Sequence, residues 1–273
     1  MSYSRNLMLE LESETVGVEL RERIAWVTLN RPESLNAFTL QMGRELLAAL
    51  NRAAADRGVR VIVLQGAGRA FSSGADLRQV ADWGPDGSAD LLTPLREVFH
   101  PLILRVRTTP KPVIASVHGG AVGFGCSLAL AADLVIAARS AYFLLAFASV
   151  GLTLDGGSSM LLAGRAGHGT ASEMGLLAEP LDSERALARG LANRVVADDQ
   201  LAKETASLAE KLACGPPGSY AATKRALNQA AYPRLEQQLN LEAELQQECA
   251  RSADFAEGVE AFLRKRPAQF TGE

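Results

Sequence analysis

The sequence predicts an α/β protein, and two observations carry this prediction. Up to about residue 197, short and nearly continuous apolar runs alternate with segments whose apolar residues recur at helical spacing. Apolar runs of that length are typical of strands buried on both faces of a parallel sheet. Strands that alternate with helices favour parallel connections, and no fixed repeat period indicates a regular solenoid. We therefore expect a parallel sheet covered by helices.

The first elements in chain order are a strand pair and a helix. Residues 16–20 and 24–29 are strand-like and flank a polar turn, and residues 39–54 carry apolar positions at helical spacing. Proline lacks the backbone N–H, so Pro101 is expected to kink or break a later helix. The remaining elements expected in this part are strands at 59–64, 112–117 and 134–137, and helices at 91–106 and 125–132.

The pattern changes at about residue 198, after which all expected elements are helices. They span 201–212, 219–230, 235–250 and 254–264, and Gly-Pro-Pro-Gly and Ala-Tyr-Pro segments separate them. We therefore divide the chain into a core, residues 1–197, and a C-terminal helical region, residues 198–273. Two roles stay open for the apolar residues of this region, contact between subunits and burial within one chain; these residues are Leu235, Leu239, Leu241 and Leu245.

Composition sets limits on the class of protein. The 273 residues are 48% hydrophobic, with a formal charge of −3 that gives no sign of a nucleic-acid surface. The N-terminal segment lacks a signal-peptide core, and no apolar run reaches the roughly 18 residues of a membrane span. Cys126, Cys214 and Cys249 are too scattered for a disulfide framework. We expect a cytoplasmic protein that binds neither nucleic acid nor membrane.

Two glycine-flanked turns carry the main functional signal. The first is Phe71-Ser-Ser-Gly-Ala-Asp-Leu77, and the second leads from an expected strand at Ser116 through four glycines into an alanine-rich helix. Glycine lets the backbone approach a ligand closely, and the first turn of a helix leaves N–H groups unpaired. Two such turns can each aim one N–H at the same carbonyl oxygen, which is the arrangement of an oxyanion site.

Four motifs in the right order carry a family resemblance. They are Arg31-Pro-Glu-Ser-Leu-Asn-Ala37, then Gly66-x-Gly-x-Ala-Phe-Ser-Ser-Gly-Ala-Asp76, then Gly119 to Ser127, then Gly151-x-x-x-Asp-Gly-Gly157. Together they resemble the crotonase superfamily, the enoyl-CoA hydratase/isomerase family, over residues 18–270. The resemblance implies a spiral of ββα units with a C-terminal helical trimerisation region. It also implies an acyl-CoA thioester as substrate, no further cofactor, and a homotrimer or a hexamer formed from two trimers.

The resemblance also assigns roles to individual residues. The backbone N–H groups of Ala75 and Phe124 become the oxyanion donors, and Asp155 becomes the group that transfers the proton. Purely structural alternatives are that Asp76 and Asp155 cap helices and that Phe124 belongs to the core. The residues expected to contact coenzyme A are Arg31, Ala37, Ser73, Gly74, Ala75, Asp76 and Leu77.

Two departures from the family pattern favour isomerisation over hydration. Hydratases of the family use two glutamates, and this chain has Ser127 and Phe147 at those positions. Adding water needs groups that activate it and deliver a proton, whereas one aspartate is enough to shuttle a proton in an isomerase. Two alternatives stay open: a hydratase in which Glu97 or Asp82 substitutes, and a non-catalytic acyl-CoA-binding scaffold.

Other signals in the sequence are weaker. The histidines show no metal-ligand spacing, so no metal site is expected, and the glycines form neither a dinucleotide-binding nor a phosphate-binding fingerprint. His118 precedes the second glycine turn and is a candidate for the pocket wall, together with Phe124, Leu145 and Phe147. The turn-rich loop at residues 82–88 is expected to be mobile without ligand.

Overall fold

The computed structural model describes residues 13–80, 82–83 and 89–273. Within these ranges the strands are β1 (Val16–Arg21), β2 (Ile24–Leu29), β3 (Val61–Gly66), β4 (Asp82–Trp83), β5 (Ala89–Asp90), β6 (Val113–Val117), β7 (Gly120–Val122), β8 (Leu134–Ala138), β9 (Tyr142–Leu144), β10 (Leu181–Asp182) and β11 (Arg194–Val196). The helices are α1 (Leu40–Ala55), α2 (Leu77–Val80), α3 (Leu92–Pro94), α4 (His100–Thr108), α5 (Phe124–Ala131), α6 (Ser158–Leu177), α7 (Ser183–Ala188), α8 (Leu201–Ala213), α9 (Pro217–Ala231), α10 (Leu235–Ala250) and α11 (Ala253–Arg264). None of these described helices is long and apolar enough to cross a membrane, and the cytoplasmic location stays a prediction.

The larger sheet confirms the expected parallel arrangement. Its strand order is β1-β2-β3-β6-β8-β11, in which β1 and β2 form an antiparallel hairpin and the other neighbours run parallel. Every residue of β6 and the first four residues of β3 are buried. Because successive side chains point to opposite faces, these strands must be covered on both sides.

The chain climbs a spiral of ββα units, as the resemblance implies. β6 enters the larger sheet, β7 enters a smaller sheet, and α5 follows; β8, β9 and α6 repeat the same path. The two units stack in register, because β6 pairs in parallel with β8 and β7 pairs in parallel with β9. The glycine segment between β6 and α5 therefore carries the chain from the larger sheet, through β7, to the helix.

The helical stretch around Pro101 differs from the expectation. The helix does not break at the proline, and it continues from α3 through a π turn, Leu95–Phe99, into α4, which ends at Thr108. The N–H of His100 donates to the carbonyl of Leu95, five residues earlier. This wider turn redirects the carbonyls that precede Pro101, and the proline ring is thereby accommodated near the start of α4.

The helices that follow residue 198 do not all lie apart from the sheets. α8 packs against β3, β6 and β8, and the Thr205 hydroxyl lies 3.0 Å from that of Ser116 in the interior. α10 packs against α3, α4 and α6. The division at residue 198 stays a prediction, and α10 contributes buried side chains, among them Glu242 and Gln246.

Candidate active site

One cavity of about 330 Å³ brings the predicted catalytic residues together. Ala75 from the first glycine turn, Phe124 from the second and Asp155 from the later loop all line it. Most of its wall is apolar, and Phe99 and Phe147 contribute aromatic rings. The polar side chains that the described residues place in the wall are those of Ser73, Ser149, Asp155 and Gln246.

Backbone hydrogen bonds dock the two glycine turns onto each other. Ser72 donates its N–H to Gly120 O at 3.0 Å, and Val122 donates to Ser72 O at 2.9 Å. On the other side, the turn pairs with Phe38 through the residues on either side of Ala75. Among the described residues, no acceptor binds the N–H of Ala75 or of Phe124. Both groups are therefore available to a ligand in the cavity they line.

Gly74 makes this close docking possible. Its φ of +94° lies in the region that side chains rarely adopt, and a Cβ atom there would lie 2.9 Å from Val122 O. Its carbonyl also accepts the Phe38 N–H at 2.7 Å. The turn that presents the Ala75 N–H thus depends on a glycine at its centre.

The Asn36 side chain stabilises the first glycine turn through hydrogen bonds, a role that the sequence motif did not reveal. Its side chain is fully buried. The amide nitrogen donates to the carbonyls of Ala67 and Ala70, at 2.8 Å each, and Oδ1 accepts the Arg31 N–H at 2.9 Å. The hydroxyl of Ser72 donates to the Asn36 carbonyl at 2.9 Å. A buried polar side chain with this many partners fixes the local backbone.

The residues predicted to contact coenzyme A lie close together, although they divide into two sets. Ser73, Gly74, Ala75 and Leu77 line the cavity. Arg31 instead binds the other two residues: its guanidinium donates to the Ala37 carbonyl and lies 3.5 Å from Asp76 Oδ2. The Arg31 side chain is therefore engaged within the turn.

Phe124 serves the core and the cavity at once. Phe124 is 2% exposed, and its ring centroid lies 4.6 Å from that of Phe99 and 5.0 Å from that of Phe38. Such packing fixes the ring and hence the first turn of α5. The side chain of Phe124 therefore belongs to the core, and its backbone N–H, at the helix start, has no acceptor in the described part of the chain.

Asp155 is buried and does not cap α6. The N-cap residue of that helix is Gly157, and the Asp155 carboxyl accepts instead from Gln246 Nε2, at 3.2 Å to Oδ2. Its other oxygen, Oδ1, is buried and has no partner among the described residues. Burial and the nearby Glu242 carboxyl raise the pKa of Asp155 from its ordinary value of 3.8 to about 8. An acid in this range is suited to proton transfer near neutral pH.

Ser127 is the residue that the family resemblance matches to a glutamate of the hydratases. Its side chain is fully buried, and its hydroxyl donates to the backbone carbonyl of Asp155 at 2.9 Å. The glycine after Asp155 lies against it, because a Cβ on Gly156 would be 2.8 Å from Ser127 Cβ. Ser127 therefore ties α5 to the Asp155 loop.

Glu242, on α10, caps the helix that follows Asp155, and sequence reasoning missed it. One carboxylate oxygen accepts the Gly157 N–H at 2.6 Å and the other accepts the Ser159 N–H at 3.0 Å. Glu242 and Gln246 are 2% and 1% exposed, and both lie on the buried stripe of α10 with Leu239. Polar residues at positions where an amphipathic helix should be apolar were the available signal.

Several other candidates do not reach the cavity. His118 lines a different depression and binds the Gly68 carbonyl, at 3.0 Å from Nε2. Leu145 is fully buried, and the exposed Glu97 is not part of the cavity wall. The loop expected to be mobile lies mostly outside the described residues, as does the side chain of Asp82.

Comparison with known proteins agrees with the fold and the cavity, which define a crotonase-type enzyme. The family model described as enoyl-CoA hydratase/isomerase matches residues 19–273. A probable enoyl-CoA hydratase of Rhodobacter capsulatus is 45% identical, over 94% of this chain and 98% of the relative. The 1,2-epoxyphenylacetyl-CoA isomerase of Escherichia coli is 43% identical, over 95% and 99% of the two chains. An enoyl-CoA hydratase crystal structure from Mycobacterium avium subsp. paratuberculosis superposes with a TM-score of 0.86 at 36% identity, over 94% and 99%.

The chain belongs to the enoyl-CoA hydratase/isomerase family. The predictions of the family, of the fold class and of a lyase- or isomerase-type enzyme are confirmed. Hydratases and isomerases both occur among its relatives, so the family alone leaves the reaction open.

Proposed function

We propose that this protein is an acyl-CoA isomerase that shifts a double bond, or rearranges a ring, next to the thioester. One observation carries the proposal: among the described residues, Asp155 supplies the cavity with its single carboxylate. Ser127 and Phe147 stand where hydratases of the family have their glutamates. The similarity to a 1,2-epoxyphenylacetyl-CoA isomerase supports the same reaction class.

The mechanism combines an oxyanion site with one mobile proton. The N–H groups of Ala75 and Phe124 hold the thioester oxygen, where negative charge develops when a proton leaves the α-carbon, C2. For a 3-enoyl-CoA substrate, the Asp155 carboxylate takes that proton and the C2 electron pair becomes part of a dienolate. Asp155 then returns the proton to C4, and the double bond moves from C3–C4 to C2–C3 without gain or loss of atoms.

We place coenzyme A along the two turns that lead to the cavity. Its adenine lies near the segments from Arg31 to Ala37 and from Ser73 to Ala75. The hydrogen bond from Ser73 N–H to the carbonyl of Leu35, at 2.9 Å, keeps the two segments adjacent. Coenzyme A enters as part of the substrate, and the proposed reaction uses no other cofactor.

A substrate screen separates this function from its two rivals. We expect the protein to shift the double bond of a 3-enoyl-CoA and to hydrate crotonyl-CoA slowly or not at all. Efficient hydration of crotonyl-CoA would support the hydratase alternative. Glu97, the substitute carboxylate of that alternative, is exposed and lies outside the cavity wall. Binding of both thioesters without turnover of either would support the scaffold.

The rate of isomerisation is expected to depend on the ionisation of Asp155. The base must be ionised to accept a proton, and the pKa of the Asp155 carboxyl is about 8. We therefore expect kcat/KM to rise about tenfold per pH unit below pH 8 and to level off above it. Initial rates measured across this range with a 3-enoyl-CoA test the prediction. A flat profile through neutral pH would contradict the assignment of Asp155 as the base.

We also propose that the chain assembles as a trimer or as a hexamer of two trimers. Two of the leucines expected at subunit contacts, Leu235 and Leu239, are buried within the chain, whereas Leu241 and Leu245 are 46% and 39% exposed. Leu241 and Leu245 lie four positions apart on one face of α10, and a neighbouring subunit would bury this apolar pair. Sedimentation at micromolar concentration is expected to give a trimer or larger, and a monomer would overturn the proposal.

A further inference from the structure

Helix α10 presents two buried polar side chains to the Asp155 loop. Glu242 and Gln246 are four positions apart and therefore lie on the same face of the helix. They are 2% and 1% exposed. Burying a polar group without a partner is costly, so the contacts of these two side chains indicate what they do.

The two side chains contact different parts of the same loop. Glu242 accepts from the N–H groups of Gly157 and Ser159 and so holds the start of α6. Gln246 reaches the carboxyl of Asp155 itself, and the distance from Nε2 to Oδ2 is 3.2 Å. One side chain thus fixes the backbone that follows Asp155, and the other fixes the rotation of its carboxyl group.

The contact makes the two oxygens of Asp155 inequivalent. Oδ2 accepts the amide N–H, whereas Oδ1 is buried and has no partner among the described residues. Gln246 also lines the cavity, and its own Oε1 is buried without a partner there. A carboxyl that is bound on one side only offers its other oxygen for proton exchange.

We propose that Gln246 is a positioning residue that holds Oδ2 of Asp155 and leaves Oδ1 as the oxygen that exchanges the proton. The inference rests on the proposed function. Oδ1 takes the proton from C2 and returns it to C4, so the carboxyl is unchanged after each cycle. Helix α10 of the C-terminal helical region then orients the reacting carboxyl through Gln246, besides its expected role in assembly.

The test compares substitutions at two glutamines of α10. Gln246→Met keeps the approximate volume and removes the amide, whereas Gln246→Asn keeps an amide with a shorter reach. Gln238→Met is the matched control, because Gln238 donates to the Ser159 hydroxyl, at 2.8 Å, and makes no hydrogen bond to Asp155 in the described structure. Melting temperature and acyl-CoA affinity establish that each variant is folded.

We expect kcat on a 3-enoyl-CoA to fall about 10- to 100-fold in both Gln246 variants, because each loses a hydrogen bond to an ionised group. The KM of both Gln246 variants is expected to stay close to the wild-type value, and so are the kcat and KM of Gln238→Met. The acid limb of the pH profile of Gln246→Met should move to higher pH. The hydrogen bond from Gln246 lowers the pKa of Asp155, so its loss leaves unopposed the increase caused by burial and Glu242. Wild-type kcat in either folded variant overturns the inference.

A measurement without turnover separates this inference from the proposed function. In protein with 13C-labelled aspartate, the Asp155 carboxyl signal is identified by its absence from Asp155→Asn. Its titration is expected to move to higher pH in Gln246→Met, and an unmoved titration overturns the positioning role even if the wild type is an active isomerase. A wild type that binds acyl-CoA without isomerising it overturns the proposed function, whatever the titration shows.

Discussion

Asp155→Asn is expected to abolish isomerisation while acyl-CoA binding stays intact. Asparagine keeps the shape of the side chain, and its oxygen can still accept from Gln246, but it cannot take up a proton at C2. Because general acid–base groups contribute about 10²- to 10⁴-fold, kcat should fall within that range. Steady-state rates and the Kd of a non-reactive acyl-CoA analogue measure the two effects separately.

The same variant should be more stable than the wild type at alkaline pH. The folded-state pKa of Asp155, about 8, lies above the ordinary value of 3.8, so the folded protein binds a proton that the unfolded chain has released. The free energy of unfolding of the wild type therefore falls as pH rises between these two values, relative to the asparagine variant. Thermal melts recorded across this range show the difference.

Glu97→Gln is the control for both effects expected of Asp155→Asn, on turnover and on stability. Glu97 is an exposed carboxylate outside the cavity wall and was the alternative base in the sequence. Its substitution should leave both turnover and melting temperature close to wild type. Near-normal turnover of Asp155→Asn, together with loss of activity in Glu97→Gln, would reverse the assignment.

The parts of the site that the sequence could predict are those encoded locally. Gly74 and the residues beside it signal a tight turn by composition alone, and the strand before α5 follows from one apolar run. The order of the motifs then places Ala75, Phe124 and Asp155 in one family pattern, and the structure brings all three to one cavity. Each of these signals lies within about ten residues of the group that it positions.

The parts that escaped prediction depend on contacts between distant segments. Gln246 bonds to Asp155 across 91 residues of sequence, and its place beside Glu242 on the buried face of α10 becomes meaningful only when the helix is packed. Asn36 likewise binds carbonyls more than thirty residues away, at Ala67 and Ala70. Local periodicity reports that a position is buried, and it does not report what a buried polar side chain will meet.

Gly74→Ala is expected to disable the oxyanion site without removing any functional side chain. The new Cβ would lie 2.9 Å from Val122 O, and the φ of +94° is unfavourable for alanine. The turn must shift, and the adjacent Ala75 N–H loses its direction toward the thioester oxygen. Loss of one oxyanion donor typically lowers kcat about 10²- to 10³-fold, and we expect an effect of that size.

A control substitution at another glycine shows whether the loss of activity depends on where the methyl group is added or only on its bulk. Gly169, in the exposed part of α6, has no positive φ, and a Cβ added there would meet no atom within 4 Å, so Gly169→Ala should leave activity unchanged. The oxyanion interaction strengthens as charge develops, and the Gly74 variant should therefore lose kcat much more than acyl-CoA affinity. If Gly74→Ala keeps its kcat, the turn from Ser72 to Asp76 does not hold the thioester oxygen, and the proposed geometry of the reaction fails with it.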